Sequence, residues 1–253
     1  MLNKTDLYYF SPTGGTKKVG EIFCKGISRE MKLVDLGLRD KKTEQPTGEL
    51  AVIALPVFGG RVPAVAIEKL NELDGRGKKA VTLVVYGNRA YEDALLELNN
   101  AAEARGFCVV ASAACVAQHS IVPKAGKGRP DDQDRESILG FAAKVLDKME
   151  NNADVQVKVP GNYPYKDEMT VLATPVCLPA CRQCGKCESV CPTGAIGLEN
   201  SMVATNLEKC ILCMSCVAAC PENARILPPP MQERMDQMLG ALEAVRCENE
   251  YFL

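Results

Sequence analysis

Eight of the chain's 13 cysteines fall into two runs of identical spacing. Cys181-Arg-Gln-Cys184-Gly-Lys-Cys187-Glu-Ser-Val-Cys191-Pro192 is followed, 29 residues later, by Cys210-Ile-Leu-Cys213-Met-Ser-Cys216-Val-Ala-Ala-Cys220-Pro221. Three thiolates two residues apart let a tight loop wrap one face of an iron-sulfur cube, and the proline ends the turn and sends the next segment away. Structural zinc also uses C-x2-C pairs. It needs four ligands in two pairs, however, and a third cysteine followed by x3-C-P, given twice, is not that pattern. An odd cysteine count with no mark of secretion argues against a disulfide framework. Cys177-x3-Cys181-x2-Cys184 has radical-enzyme spacing but borrows two ligands already committed to the cube, so Cys177 reads as packing or a spare. Cys24, Cys108, Cys115 and Cys247 read as small apolar residues.

The duplicated run resembles the two-cluster 4Fe-4S ferredoxins of bacteria, over about residues 173–228. The resemblance implies that the first three thiolates of each run hold one cluster and the fourth crosses to the other. Cluster one would then take Cys181, Cys184, Cys187 and Cys220, and cluster two Cys210, Cys213, Cys216 and Cys191. Thr193 to Leu198, a polar turn at Glu199-Asn200-Ser201, and Met202-Val203-Ala204 read as a short hairpin. Gly185, Val190, Ile211, Val217, Ala218 and Ala219 would shield the sulfurs from water, and such burial sets the potentials.

A second chemistry sits near the front of the chain. Ser11-Pro12-Thr13-Gly14-Gly15-Thr16 follows a β-rich run, Thr5 to Phe10, and precedes Val19, Ile22, Phe23 and Ile27 at helical spacing. A glycine-freed backbone at a helix N-terminus, with three hydroxyls beside it, makes an anion site. The loop has neither the GK[ST] ending of a nucleotide triphosphatase nor G-x-G-x-x-G. It resembles the flavodoxin S/T-x-T-G-x-T loop, which implies FMN held by its terminal phosphate. In that family the loop Val57-Phe58-Gly59-Gly60 would pass the isoalloxazine edge, with Phe58 stacking on the ring. Gly87-Asn88-Arg89-Ala90-Tyr91 would cover the pyrimidine side, with Asn88 as a polar partner and Tyr91 as a second aromatic flank, there being no tryptophan.

The elements that must carry these loops alternate. Leu50–Pro56 and Ala80–Tyr86 are continuous apolar runs suited to strands buried on both faces, and Phe107–Gln118 supplies a fifth strand. Helices are expected over Ala66–Leu73, Ala94–Ala102 and Ile138–Met149. This pattern predicts a flavodoxin-like α/β fold, a doubly wound parallel five-stranded sheet in the order 2-1-3-4-5 with its ligand at the strands' carboxyl ends, plus a small α+β two-cluster ferredoxin domain. One departure is that residues 37–49, between the second and third strands, hardly fit a full helix. His119, the only histidine, ends the fifth strand on the ligand edge; it reads as backbone-satisfied or, functionally, as a proton donor or hydrogen-bond partner near the flavin. Ser120–Pro130 carries Lys124, Lys127 and Arg129 and reads as a solvated loop.

Residues 1–152 are thus expected to form the FMN-binding domain, 153–172 an extended linker whose tyrosines pack between domains, 173–228 the ferredoxin domain, and 229–253 a helix and tail. Met231, Met235, Met238, Leu242 and Val245 should make one packing stripe of that helix. A net charge of -2 gives no basic bias toward nucleic acid, and no apolar stretch is long enough for a membrane span. Oxygen-sensitive clusters and reduced thiols point to the cytoplasm of an anaerobe. The assembled pattern resembles fused flavodoxin-ferredoxin proteins. That resemblance implies electron transfer between two 4Fe-4S clusters and FMN, and onward to a redox partner such as a ferredoxin-type donor or an acceptor reductase. The alternative is an FMN-dependent reductase of a small organic molecule, with Tyr91 or His119 as proton source and the ferredoxin part as an internal wire. A DNA-reading redox regulator fits poorly, because no such motif is present. Oligomeric state is not legible.

Overall fold

The computed structural model describes residues 1–151, 157–199 and 202–253. Five strands, β1 (Leu2–Tyr9), β2 (Ser28–Asp35), β3 (Leu50–Pro56), β4 (Lys79–Tyr86) and β5 (Cys108–Val116), form a parallel sheet in the order 2-1-3-4-5. Every residue of β3 is buried, as a strand covered on both faces requires. Helices α1 (Gly15–Ile27) and α4 (Asp132–Glu150) pack one face, through Phe23, Ile27, Phe141 and Val145. Helices α2 (Ala64–Leu70) and α3 (Ala94–Ala104) pack the other, through Leu70, Leu95 and Leu98.

Between β2 and β3 the chain forms no helix. It crosses as a strap, held by the buried Asp6 of β1, whose Oδ2 accepts the Thr47 and Gly48 N–H groups at 2.6 and 2.5 Å. A carboxylate can take over amides that a helix would have paired internally.

The expected five strands gain a sixth. The C-terminal β10 (Glu250–Phe252) adds antiparallel to the β5 edge, covering an otherwise open row of backbone groups. Tyr251 stacks on Phe141, 4.6 Å between ring centroids.

The cysteine-rich half is two small ribbons, β6 (Val176–Cys177) with β9 (Arg225–Ile226), and β7 (Ile196–Glu199) with β8 (Met202–Thr205), around two single turns, α5 (Lys186–Ser189) and α6 (Ser215–Ala218). The polar turn expected between β7 and β8 falls partly outside the described residues, at 200–201, as does the start of the linker, at 152–156. Residues 160–169 lie against the first domain. Asp93 accepts the Asn162 and Lys166 N–H groups, each at 2.8 Å, and Tyr165 lies under the Arg61 guanidinium. Tyr163, by contrast, is 80% exposed and meets Tyr165 edge-on, 5.2 Å between ring centroids.

The loop after His119 is solvated only in part: Lys124 and Lys127 are exposed, as their charges suggest, but its flanks are not. Ile121 and Val122 are buried in a small core shared with Leu212, Met214, Leu227 and Leu239, and Arg129 is buried in a pair with Asp134. The methionine stripe divides along α7 (Pro229–Leu239) and the 3-10 turn Gly240–Ala244. Met231, Met235 and Leu242 join that core, while Met238 and Val245 face solvent.

Candidate functional site

The three glycine-bearing loops meet at the carboxyl ends of β1, β3 and β4. Ser11, Pro12, Thr13, Gly15 and Thr16 from the first, Val57 and Phe58 from the second and Gly87 from the third line one small cavity of about 70 Å³, together with Tyr86, Gln118, His119 and Ser120. Gly14, with φ at 93°, caps α1, and Ser11 Oγ accepts the Lys17 N–H at 2.9 Å. The N–H groups of Gly15 and Thr16 lie in the first helical turn, where no intrahelical acceptor exists. They are donors available to an anion, and the helix dipole adds to them.

Five of the residues expected at the flavin do not line this cavity and make other contacts. Gly59 and Gly60, both with positive φ, form the tight turn that joins Phe58 to Arg61, against Met169 and Glu92. Arg89 pairs with Glu92. Asn88 holds the C-terminal tail, donating to the Leu242 and Val245 carbonyls and accepting the Cys247 N–H. Tyr91 donates to Glu250 of that tail and packs on Tyr86. Tyr86, a residue the loop pattern did not single out, is therefore the aromatic that reaches the cavity beside Phe58. Being the last residue of a buried strand was its only signal.

His119 lies on the cavity wall. Its Nδ1 accepts the Ile121 and Val122 N–H groups at 3.2 and 3.1 Å, so a neutral ring must carry its proton on Nε2. Burial, and then the nearby Arg89 charge, push its pKa down to about 4. The ring sits where a side chain on Gly87 would be, with a Cβ there only 2.3 Å from Cδ2.

The cysteine runs are built as a structural repeat. Gln183, Gly185 and Gly194 in the first copy, and Leu212, Met214 and Asn223 in the second, all have φ between 51° and 73° at matching offsets. Left-handed residues among right-handed ones turn backbone N–H groups inward, as sulfur-rich anion sites require. Some of those donors already point at sulfur: Ala195 N–H to Cys191 Sγ at 3.2 Å, Ala224 N–H to Cys220 Sγ at 3.3 Å, and Gln183 N–H to Cys181 Sγ at 3.4 Å. Cys191, Cys210, Cys213 and Cys216 line a single small cavity of about 20 Å³. Burial pushes the Cys213 thiol up to about 12, and the Cys216, Cys191 and Cys210 thiols beside it push the same way. Of the other four, Cys187 is buried, Cys181 and Cys220 are half-buried and Cys184 is exposed. Among the described residues no three His, Cys, Asp or Glu side chains converge to hold a single ion. A cubane carries its own irons and sulfides between the thiolates, so ligands spread around a void suit it better than they suit mononuclear zinc.

Residues 180–225 match the family of 4Fe-4S dicluster domains. The chain thus carries a parallel sheet in the flavodoxin strand order, followed by a segment that matches a 4Fe-4S dicluster domain. The first part rests on the strand order, the second on the family match. Among curated proteins the chain is similar to one component of an ion-translocating oxidoreductase complex of Methanosarcina acetivorans, 45% identical over 49 residues, which are 19% of each chain. It is 48% identical over 46 residues to the electron transport protein HydN of Escherichia coli, covering 17% of this chain and 26% of that one. It is 31% identical over 148 residues to the iron-sulfur cluster-binding subunit of a menaquinone reductase of Nitratidesulfovibrio vulgaris, 56% of this chain and 49% of that one. The matches thus span between a fifth and a half of those relatives. Among solved structures it is similar to a flavodoxin from the domain Archaea, 14% identical with a TM-score of 0.40, over 58% of this chain and 99% of that one. It is also similar to the rubredoxin oxygen:oxidoreductase of Desulfovibrio gigas, 13% identical with a TM-score of 0.44, over 60% of this chain and 37% of that one. No helix among the described residues is long and apolar enough to cross a membrane.

Proposed function

We propose that this protein carries electrons between two 4Fe-4S clusters and an FMN, in the spatial order cluster one, cluster two, flavin. Cys181, Cys184, Cys187 and Cys220 would hold the first cluster, and Cys210, Cys213, Cys216 and Cys191 the second. The FMN would lie in the cavity of the three loops, its phosphate on Ser11–Thr16 and its ring between Phe58, Tyr86 and His119. The observation that carries this order is Cys213, which lines both the flavin-loop cavity and the cavity of the second cysteine set. Cys184 of the first set is exposed, where a one-electron partner protein could approach. Bound FMN would supply exchange between paired and single electrons. The protein's own part is to fix the carriers, exclude water from the second cysteine set and present Nε2–H of His119 to the ring.

The domains would run as residues 1–152, 153–172 and 173–228, with 229–253 returning to close the first. Reduction of a small organic substrate with a proton from His119 or Tyr91 is the weaker reading. A histidine with its pKa near 4 holds no spare proton at neutral pH, and Tyr91 is turned to Glu250. Anaerobic reconstitution followed by iron, sulfide and flavin counts tests the proposal. About eight irons, two cubes of four, and one FMN per chain are expected. Zinc in place of iron, or no bound flavin after incubation, would refute it.

A further inference from the structure

The two cysteine runs differ at one position that is buried in both copies. After Cys191 the chain reads Pro-Thr-Gly-Ala-Ile196, and after Cys220 it reads Pro-Glu-Asn-Ala-Arg225. The backbones correspond, since Ala195 and Ala224 donate to the Cys191 and Cys220 sulfurs at nearly equal distances. Ile196 is 6% exposed and Arg225 only 2%. An isoleucine there is ordinary core. A guanidinium is not, because it cannot shed its charge by losing a proton, and an uncompensated buried charge is strongly destabilising.

The contacts of Arg225 do not compensate it. Nη1 donates to Cys177 Sγ at 3.3 Å, and Nη2 donates to Thr205 Oγ1 at 2.5 Å and lies 3.9 Å from Cys216 Sγ. Nε is buried and meets no acceptor among the described residues. One hydroxyl and two sulfurs surround the cation, with no carboxylate among them. Cys216 belongs to the second cysteine set and shares a buried cluster with Cys187 of the first, and the guanidinium charge is felt by Cys187 of the first set and Cys210 of the second.

We infer that Arg225 is the counter-ion shared by the two clusters, and that its charge raises both reduction potentials. The inference rests on the cofactor reading above. Reduction adds one electron to a cube from a one-electron donor, with no bond made or broken, so a fixed positive charge beside the sulfurs favours the reduced form. Arg225 is a positioning residue for that charge, with Cys177 and Thr205 holding two of its arms.

Two variants test this. Arg225→Ile installs the residue that the first repeat uses at the same place, and Arg225→Lys keeps the charge. Each is reconstituted anaerobically and its iron counted, and the electron paramagnetic resonance signal of the reduced clusters is followed through a mediated redox titration. Arg225→Ile should load its iron and disfavour the reduced form at least tenfold, a fall of about 59 mV or more for a one-electron couple. Arg225→Lys should recover most of the shift. Loss of iron from Arg225→Ile alone would also support the inference, because charge would then be needed for assembly. Wild-type potentials in a fully loaded Arg225→Ile overturn it. Loss of iron from both variants overturns it too, since shape rather than charge would then be what the position requires. An unsubstituted protein that takes up no iron would instead refute the cofactor reading, and that is seen before any variant is compared.

Discussion

Asn88 separates two roles that a glycine-adjacent loop residue can play. The side chain is fully buried with φ at 62°, and makes three hydrogen bonds to the tail: to the Leu242 carbonyl at 3.0 Å, to the Val245 carbonyl at 2.7 Å, and from the Cys247 N–H at 3.1 Å. Replacing it with alanine removes bonds of about 1 kcal/mol each. It also places in the left-handed region a residue that tolerates it less well than asparagine, at a further cost of roughly 1 kcal/mol. A total of about 4 kcal/mol corresponds to nearly a thousandfold greater opening of the tail. Hydrogen exchange reads this directly, at Cys247 and across Glu250–Phe252, where the sheet pairing with Ser112–Ala114 would otherwise protect the amides. FMN affinity, followed by fluorescence quenching, should change by no more than about twofold, the scale of coupling expected between separate sites. Unchanged exchange in Asn88→Ala would refute the clamp. Lost FMN binding with the tail still protected would show that the side chain serves the flavin after all.

Gly87→Ala should weaken FMN binding about tenfold, because the added methyl meets the His119 ring and overpacking of this kind costs about 1–3 kcal/mol; wild-type affinity would mean that the ring yields freely. Cys213→Ala should lose the second cluster, about four irons, and slow cluster-to-flavin transfer in stopped-flow experiments more than Cys184→Ala does; equal slowing would reject the proposed order. His119 titrates near its ordinary value of 6.5 when unfolded but near 4 in the fold, so between these pH values only the unfolded chain binds the proton. Stability should therefore be level above 6.5 and fall as the pH drops through that window. His119→Gln should lose this part of the dependence, and denaturant midpoints on either side of the window would expose a failure.

What was legible in the sequence was local. The cysteine intervals carry their own geometry, because a repeat of C-x2-C-x2-C has few ways to wrap a cube. The apolar runs Leu50–Pro56 and Ala80–Tyr86 read as doubly covered strands without outside help, and the helix-poor interval 37–49 announced a missing helix. It could not announce Asp6, a buried carboxylate on another element that takes the strap's amides. Asn88 and Tyr91 looked like flavin contacts because they follow a strand at the ligand edge. The partners their side chains hold in the fold, Val245 and Glu250, lie more than 150 residues on, where nothing local marks them. The loop 120–130 misled for a related reason. Its charges were conspicuous and its apolar pair was not, yet Ile121 and Val122 pack beneath the cysteine domain and Arg129 is neutralised by Asp134.

These non-local contacts bear on how electrons would cross the molecule. A domain joined only by a flexible tether would owe its transfer rate to chance encounters at a raised effective concentration. Here three separate attachments hold the halves together: the 160–169 segment on Asp93 and Arg61, the small core under Ile121 and Val122, and a tail that leaves the cysteine domain and becomes the sixth strand of the sheet. Met214 and Leu212 flank Cys213 within that core. The residue that lines both cavities is thus gripped on either side by the packing that docks the domains, and its place against the flavin loops is fixed as the chain folds. At the other end Cys184 is exposed. On this reading, exchange with a partner at that end depends on encounter, while passage from the second cluster to the flavin depends on distances that folding has already set.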